Sequence, residues 1–329
     1  MTISATRDSM EQRPASWLPM AVVAMGQTLT TLNISALPVL IGAMVDEFGI
    51  APTMVASTIV VYSIAVSGFI MLGAKLGQKH GATTVFRWST ALLLLASALT
   101  TYSANFGMLL AAQGLAGLGA ALLLPSLVVL ITDNYSGPQQ AKAIGLLGGV
   151  QAAATVATIL IAGTVGTYLG WRYSFGLIIP FAILTWLMSH KLEPSGKRPE
   201  LEIDRVGAVL AAISIACISL GFNFIDDWGL IRAFASAPSG PLGISPALLM
   251  IIAGVVGIQL FIIWLQRRKA TKQTPLIAIE VLESRSERTA VVALMVIAAI
   301  GSALNFMIPL YIQIVQGQSG FETALELIN

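Results

Sequence analysis

The chain has 329 residues, of which 56% are hydrophobic and only 10% are charged, and its mean hydropathy is +0.83. Soluble domains carry about 25% charged residues, so this composition excludes a soluble enzyme, and its hydrophobicity excludes intrinsic disorder. The single cysteine, Cys217, excludes an internal disulfide and a cysteine-based zinc site.

Long windows without Lys, Arg, Asp or Glu separate short clusters of charge along the chain. A membrane-spanning helix needs about 20 apolar residues, and we therefore predict an all-α polytopic membrane protein with nine spans. The predicted spans lie near residues 17–41, 53–76, 85–102, 106–132, 141–169, 173–190, 206–224, 246–266 and 290–314.

The basic residues predict the orientation of these spans, because Lys and Arg concentrate in cytoplasmic loops. With the N-terminus inside, all but Arg172 and Arg232 of the 18 Lys and Arg residues are cytoplasmic. We therefore expect a multi-pass protein of the cell (inner) membrane with membrane lipid as a partner. The basic run at 267–272 either fixes this topology or binds anionic lipid headgroups.

No predicted span carries a charge in its interior, so the candidate functional side chains are neutral. Those in span 1 are Gln27, Thr30, Thr31 and Asn33, the one in span 4 is Gln113, and those in span 5 are Gln151, Thr155 and Thr158. Helical spacing places the first three on one face of span 1, and the last three on one face of span 5. Each stripe either lines a wet transport cavity or forms hydrogen bonds across helix contacts.

Small residues form a second pattern in the spans. Gly117 and Gly119 in span 4 and Gly163 in span 5 are candidates for close helix packing, which holds membrane bundles together. The sequence has no P-loop or nucleophile elbow, and His80 and His190 lack partner ligands. We therefore predict no enzyme activity, no cofactor, no metal site and no nucleic-acid partner.

The segment between spans 2 and 3 reads Ala74-Lys75-Leu76-Gly77-Gln78-Lys79-His80-Gly81. It resembles the G-x-L-a-D-r-x-G signature that the major facilitator superfamily carries at this position. The resemblance implies a cytoplasmic gating loop that contains Lys75, Gly77, Gln78, Lys79 and Gly81. Four further segments resemble, in order, the span 4 motif of drug:proton antiporters and three parts of their fourteen-span branch: residues 117–126, 170–175, 202–207 and 309–313.

This resemblance implies a major facilitator-type helical bundle with a defined order of parts. These are a cytoplasmic N-terminal segment (1–16), a six-helix N-terminal half (17–190), a cytoplasmic linker (191–205), two extra linker helices (206–266), and a cytoplasmic loop with the first helix of an incomplete C-terminal half (267–329). Residues 318–329 look like a loop and the start of another helix, so we expect a chain cut short. Either a missing C-terminal half or self-association would then cover its open face.

Several positions depart from the family's pattern. The span 1 aspartate is replaced by Leu29, the loop aspartate by Gln78 and the span 4 arginine by Gln113, and the span 5 motif at 158–163 lacks its proline. Because Asp, Glu or His usually carries protons within a membrane, we expect no proton-binding site in the N-terminal half.

Two functions remain open from the sequence. The first is a multidrug-efflux-like secondary transporter that moves small amphipathic or apolar molecules by alternating access. The alternative is a truncated or degraded, non-transporting membrane protein that acts as a partner or regulator.

Overall fold

A computed structural model of the chain describes residues 16–238, 243–271, 276 and 284–327. Within these residues, nine helices are long and apolar enough to cross a membrane, as the sequence predicts. They are span 1, Leu18–Phe48; span 2, Pro52–His80; span 3, Ala82–Thr101; span 4, Phe106–Asn134; span 5, Gly137–Tyr168; span 6, Trp171–Ser189; span 7, Arg205–Asn223; span 8, Pro246–Ala270; and span 9, Arg285–Val315. Short helices follow span 7 at Ile225–Trp228 and span 9 at Gly320–Glu326.

Local signals explain where these helices begin and end. Pro52 lies in the first turn of span 2, where its missing N–H costs nothing. The side chain of Asn105 accepts a hydrogen bond from the Met108 N–H (2.9 Å) and caps span 4. Gly49 ends span 1 in the left-handed conformation, with φ +63°.

The segment predicted as a gating loop is mostly helical. Span 2 continues to His80, and Gly81, with φ +89°, ends it. Cationic side chains are favourable at a helix C-terminus, so basic residues there do not stop the helix. Four of the five predicted loop residues therefore lie in the last turns of span 2: Lys75, Gly77, Gln78 and Lys79. Their role in gating stays a prediction.

Span 6 differs from its predicted bounds. It begins at Trp171 and its helix is interrupted at Leu177, between Trp171–Gly176 and Ile178–Ser189. The charge of Arg172 is accommodated because its guanidinium pairs with Glu47 of span 1 and donates to the Ser103 carbonyl (2.7 Å). The Trp171 indole N–H also donates to Glu47 (2.6 Å).

Spans 1 to 6 share one apolar core, which contains Leu29, Phe86, Leu123 and Phe175. Within the bundle, the predicted packing glycines lie at close contacts. A Cβ added at Gly117 would clash with the Tyr62 carbonyl of span 2 and lie 2.7 Å from Ala65. A Cβ at Gly119 would lie 2.9 Å from Leu93 of span 3, and one at Gly163 would lie 2.6 Å from the Gly320 carbonyl oxygen.

Spans 7 and 8 form a pair beside span 2. They approach closely because Gly254 and Gly257 of span 8 lie against Ser214 of span 7. Span 7 also meets span 2, where Gly68 faces Ala212. Among the described residues, the pair thus packs on the outside of the six-helix bundle through span 2.

The bundle has two ends, which differ in charge. We call the end at which Lys79, Lys142 and Arg267 lie the basic end. The other, which carries Glu47 and Arg172, is the opposite end. Spans 1 to 6 run alternately between the two ends, since short turns connect these neighbours.

Candidate functional site

A cavity of about 470 Å³ lies between spans 1, 2, 5 and 9. Its volume falls within the range of about 300 to 1,000 Å³ that small-molecule sites occupy. Apolar walls come from residues such as Ile34, Ile59, Ile159 and Phe306. The polar lining side chains come from all four spans: Ser35, Ser63, Gln151, Thr155, Ser302 and Asn305. Among the described residues, none that lines this cavity is charged.

Helical periodicity brings these side chains to one place. Gln151 and Thr155 are four residues apart on span 5, and Ser302 and Asn305 are three apart on span 9, so each pair shares a face. Thr155 donates its hydroxyl proton to the Gln151 carbonyl (2.9 Å) and keeps its capacity to accept a hydrogen bond. The Asn305 amide nitrogen donates to the Gly301 carbonyl (2.8 Å). The cavity therefore offers neutral donors and acceptors from two facing helices.

Contacts close the cavity toward the opposite end. The Gln313 side chain of span 9 bonds to the backbone of span 1. The Phe321 N–H of the short helix donates to the Thr167 hydroxyl of span 5 (3.1 Å). The Phe321 ring also lies 6.2 Å from that of Tyr168. Spans 1, 5 and 9 and the short helix thus meet at this end.

The same helices are apart toward the basic end. Residues 285–300 of span 9 are exposed. A Cβ added at Gly145, Gly148 or Gly149 of span 5 would meet no atom of the described residues within 4 Å. The structure is therefore closed at the opposite end and open along the basic-end halves of spans 5 and 9.

Of the candidates chosen from the sequence, Gln151 and Thr155 line the cavity. The stripe on span 1 does not line the cavity: its side chains are buried and form bonds within their own helix. Thr30 and Thr31 donate to the Gln27 carbonyl (2.8 and 2.9 Å), and the Gln27 amide donates to Thr31 (3.4 Å). Thr158 likewise donates to the Ala154 carbonyl and is buried.

Gln113 and Asn33 lie elsewhere in the bundle. Gln113 is fully buried between spans 3 and 4, where its amide nitrogen donates to the Thr100 hydroxyl (3.2 Å). Asn33 is 1% exposed, and neither polar atom of its amide has a hydrogen-bond partner among the described residues. Asn33 precedes the cavity residue Ser35 by two positions, or about 200° around the helix. A role for either residue in transport stays a prediction.

Four of the polar lining residues were not among the candidates chosen from the sequence: Ser35, Ser63, Ser302 and Asn305. A signal was present in span 9, where Ser302, Asn305 and Pro309 recur at i, i+3 and i+7, and all three line the cavity. The serines of spans 1 and 2 carry no such pattern.

A wider recess of about 740 Å³ lies at the opposite end, beside the ends of spans 3, 5 and 6. Tyr102 and Tyr173 on its lining are 75% and 64% exposed, so it belongs to the outer surface of the bundle. Its cation, Arg172, is already bound by Glu47. Converging polar groups make the inner cavity the better candidate site.

No group of three or more His, Cys, Asp or Glu side chains that could hold a metal ion occurs among the described residues. The absence of a cofactor stays a prediction. In the part of the chain that the structure describes, nine helices are long and apolar enough to span a membrane, which defines a multi-pass integral membrane protein. The chain belongs to the Major Facilitator Superfamily, whose sequence profile matches residues 23–328.

Two relatives of the chain are named as an export protein and a resistance protein. The chain is 26% identical over 232 residues to a cephamycin export protein of Amycolatopsis lactamdurans, covering 69% of this chain and 47% of that protein. It is 22% identical over 315 residues to a methylenomycin A resistance protein of Bacillus subtilis strain 168, covering 93% of this chain and 63% of that protein.

A solved structure with the same fold is that of a peptide transporter, POT, in complex with sulfate. The TM-score is 0.60 at 13% identity, and the match covers 94% of this chain and 65% of that chain. At this identity the likeness concerns the fold alone. The chain spans less than two thirds of the length of each of these three proteins.

Proposed function

We propose that the protein is a secondary transporter of the drug-exporter type, which moves small amphipathic or apolar molecules through the inner cavity by alternating access. The observation that carries this proposal is the neutral, partly polar cavity between spans 1, 2 and 5 on one side and span 9 on the other. Transporters of this kind bind substrate between two halves near the middle of the membrane. The superfamily and the names of the relatives support the same function.

The lining residues favour a neutral substrate. A cation in the cavity would lose its hydration without gaining a counter-charge, and burying an unpaired charge is very costly. A neutral molecule can place its apolar body against Ile59 and Phe306 and bond to the amides of Gln151 and Asn305. Neutral amphiphiles should therefore be preferred over cations of the same shape.

The proposed membrane location, orientation and division into parts are based on the amino-acid sequence. The protein lies in the cell (inner) membrane with its N-terminus and its basic end in the cytoplasm, as the distribution of Lys and Arg favours. Spans 7 and 8 are the extra linker pair of the fourteen-span branch, and span 9 opens the C-terminal half. Leu29, Gln78 and Gln113 do not titrate, so proton coupling does not reside at these positions.

A second function has one observation in its favour. Residues 285–300 of span 9 are exposed, and such a face can bind a partner chain, whether a C-terminal half or a second copy. In that case the protein is a non-transporting membrane partner or regulator. A measurement of substrate flux distinguishes the two functions, because only a transporter moves substrate across the membrane.

The experiment compares a neutral amphiphile with a cation of matched size in proteoliposomes that contain the protein. We expect saturable flux of the neutral compound and little of the cation. Gln151→Leu should reduce apparent affinity about fivefold to tenfold, because it removes about one hydrogen bond. Gln259→Leu is the matched control, since Gln259 lies exposed on span 8 away from the cavity. Absence of saturable flux of either compound would favour the partner function.

A further inference from the structure

Gln313 of span 9 holds one turn of the span 1 backbone. Its amide nitrogen donates to the Pro38 carbonyl (2.9 Å), and its amide oxygen accepts from the Gly42 N–H (3.0 Å). The side chain is nine-tenths buried. In an α-helix, the carbonyl of residue i and the N–H of residue i+4 are each other's partners. One side chain therefore occupies both members of a backbone pair in another helix.

Span 1 is built to accept this side chain. A Cβ added at Gly42 would lie 3.1 Å from the Gln313 amide oxygen, so only glycine leaves full room there. Pro38 lacks an N–H and weakens the helix at the same turn. On the other side, Gln313 lies in a π-helical segment, Tyr311–Val315, that begins two residues after Pro309. Such segments are rare and are frequent at functional sites.

We infer that Gln313 is a releasable latch that keeps the opposite end of the cavity closed. When Gln313 withdraws, the Pro38 carbonyl and the Gly42 N–H can bond to each other in the ordinary helical pattern. The released amide is adjacent to exposed residues, among them Val315 and Gln316, where water can bond to it. Neither state leaves a buried backbone group without a partner, and such a group would be costly. Because each group exchanges one hydrogen-bond partner for another, opening costs little free energy. The closed state is still defined by the two hydrogen bonds of Gln313 to Pro38 and Gly42.

The latch lies at the closed end of the cavity, so its release affects access to the cavity. Contacts of span 9 and the short helix with spans 1 and 5 include the Gln313 bonds, the Gly163–Gly320 approach and the Phe321–Thr167 bond, all near the opposite end. Residues 284–300 are exposed instead. Pro38 and Pro309 both line the cavity, directly beside the latch. Release of Gln313 would thus open the cavity at the end that is now closed.

This inference rests on the proposed function only in one respect, namely that the release of Gln313 is a step of a transport cycle. The test needs no substrate. Spin labels at Asp46→Cys on span 1 and Leu325→Cys on the short helix, in a Cys217→Ser background, report the width of the opposite end by pulsed electron spin resonance in nanodiscs. Gln313→Leu should raise the ratio of long to short distances about tenfold, which equals about 1.4 kcal/mol. Gln316→Leu, a matched change at an exposed glutamine of the same segment, should leave the ratio unchanged.

Gly42→Ala tests the same contact from span 1 and keeps the inference falsifiable if Gln313→Leu does not fold. Its added methyl displaces the Gln313 amide, so the ratio of long to short distances should rise, but by less than in Gln313→Leu. In the double variant, Gly42→Ala should add nothing to Gln313→Leu, because the methyl acts through the absent amide. An unchanged ratio in Gln313→Leu, an equal rise in Gln316→Leu, or additive effects would overturn the latch. A shift in distances without any flux of a neutral amphiphile would instead refute the proposed transport function and leave the latch standing.

Discussion

Replacement of Asp204 by alanine should destabilise the pairing of spans 7 and 8. The carboxylate is 2% exposed and accepts from the Gly207 N–H (2.9 Å) and from the Trp264 indole N–H (3.0 Å). It also lies 3.6 Å from the Arg268 guanidinium. Loss of a helix cap costs about 1 kcal/mol, loss of the acceptor for Trp264 about 1 kcal/mol, and loss of the ion pair adds to both. We expect Asp204→Ala to lower the free energy of unfolding by about 2 to 4 kcal/mol.

The assay is thermal or denaturant unfolding of the purified protein, followed by tryptophan fluorescence. Asp204→Asn is the matched control, because its side-chain oxygen can still cap span 7 and accept from Trp264. Only the charge is lost, so Asp204→Asn should cost less than Asp204→Ala but more than the loss of a surface ion pair, because the side chains of Asp204 and Arg268 are 1% and 14% exposed. The reasoning would be refuted by a change below about 0.5 kcal/mol for Asp204→Ala, which is the size of an ordinary surface substitution. Equal costs for the two variants would refute the separate contribution of the cap.

Three further outcomes are expected. Gly117→Val should destabilise the protein by about 1 to 3 kcal/mol through overpacking against Tyr62 of span 2, measured by thermal unfolding; an unchanged midpoint would contradict the close crossing. Glu47→Gln should cost about 1 kcal/mol or less, because the ion pair of Glu47 is partly exposed; a larger loss would show a stronger role for this carboxylate. In cells, a cysteine at Asp46 should react with an impermeant thiol reagent and one at Lys79 should not; the reverse would overturn the orientation.

Hydrophobic windows were sufficient to predict the spans, because the membrane requires about 20 apolar residues for each crossing. They could not place the helix ends. Span 2 runs on to His80 through Lys75 and Lys79, since charge does not end a helix and the break comes from the backbone at Gly81. Span 6 begins before the charged Arg172, because Glu47, which is remote in sequence, pairs with it.

Periodicity identified faces of helices but not the neighbours that those faces meet. Spacing grouped Gln151, Thr155 and Thr158 on one face of span 5; the first two line the cavity, and Thr158 is buried in the bundle. Gln113 is equally polar, yet it faces Thr100 of span 3, because the rotation of span 4 is set by its glycine contacts with neighbouring helices. The Gln313 contact with span 1 joins residues 275 positions apart, so no local pattern could have revealed it.

The proposed transport function requires that a neutral substrate binds in the cavity between spans 1, 2, 5 and 9. The most direct test is photolabelling of the purified protein in nanodiscs with a neutral, photoreactive amphiphile, followed by peptide mapping. Binding in the cavity predicts adducts in span 5 near Gln151 and in span 9 near Asn305, both suppressed by an excess of the unreactive parent compound. Adducts confined to the recess beside Tyr102 and Tyr173 or to lipid-facing surfaces, and not suppressed by the parent compound, would contradict it.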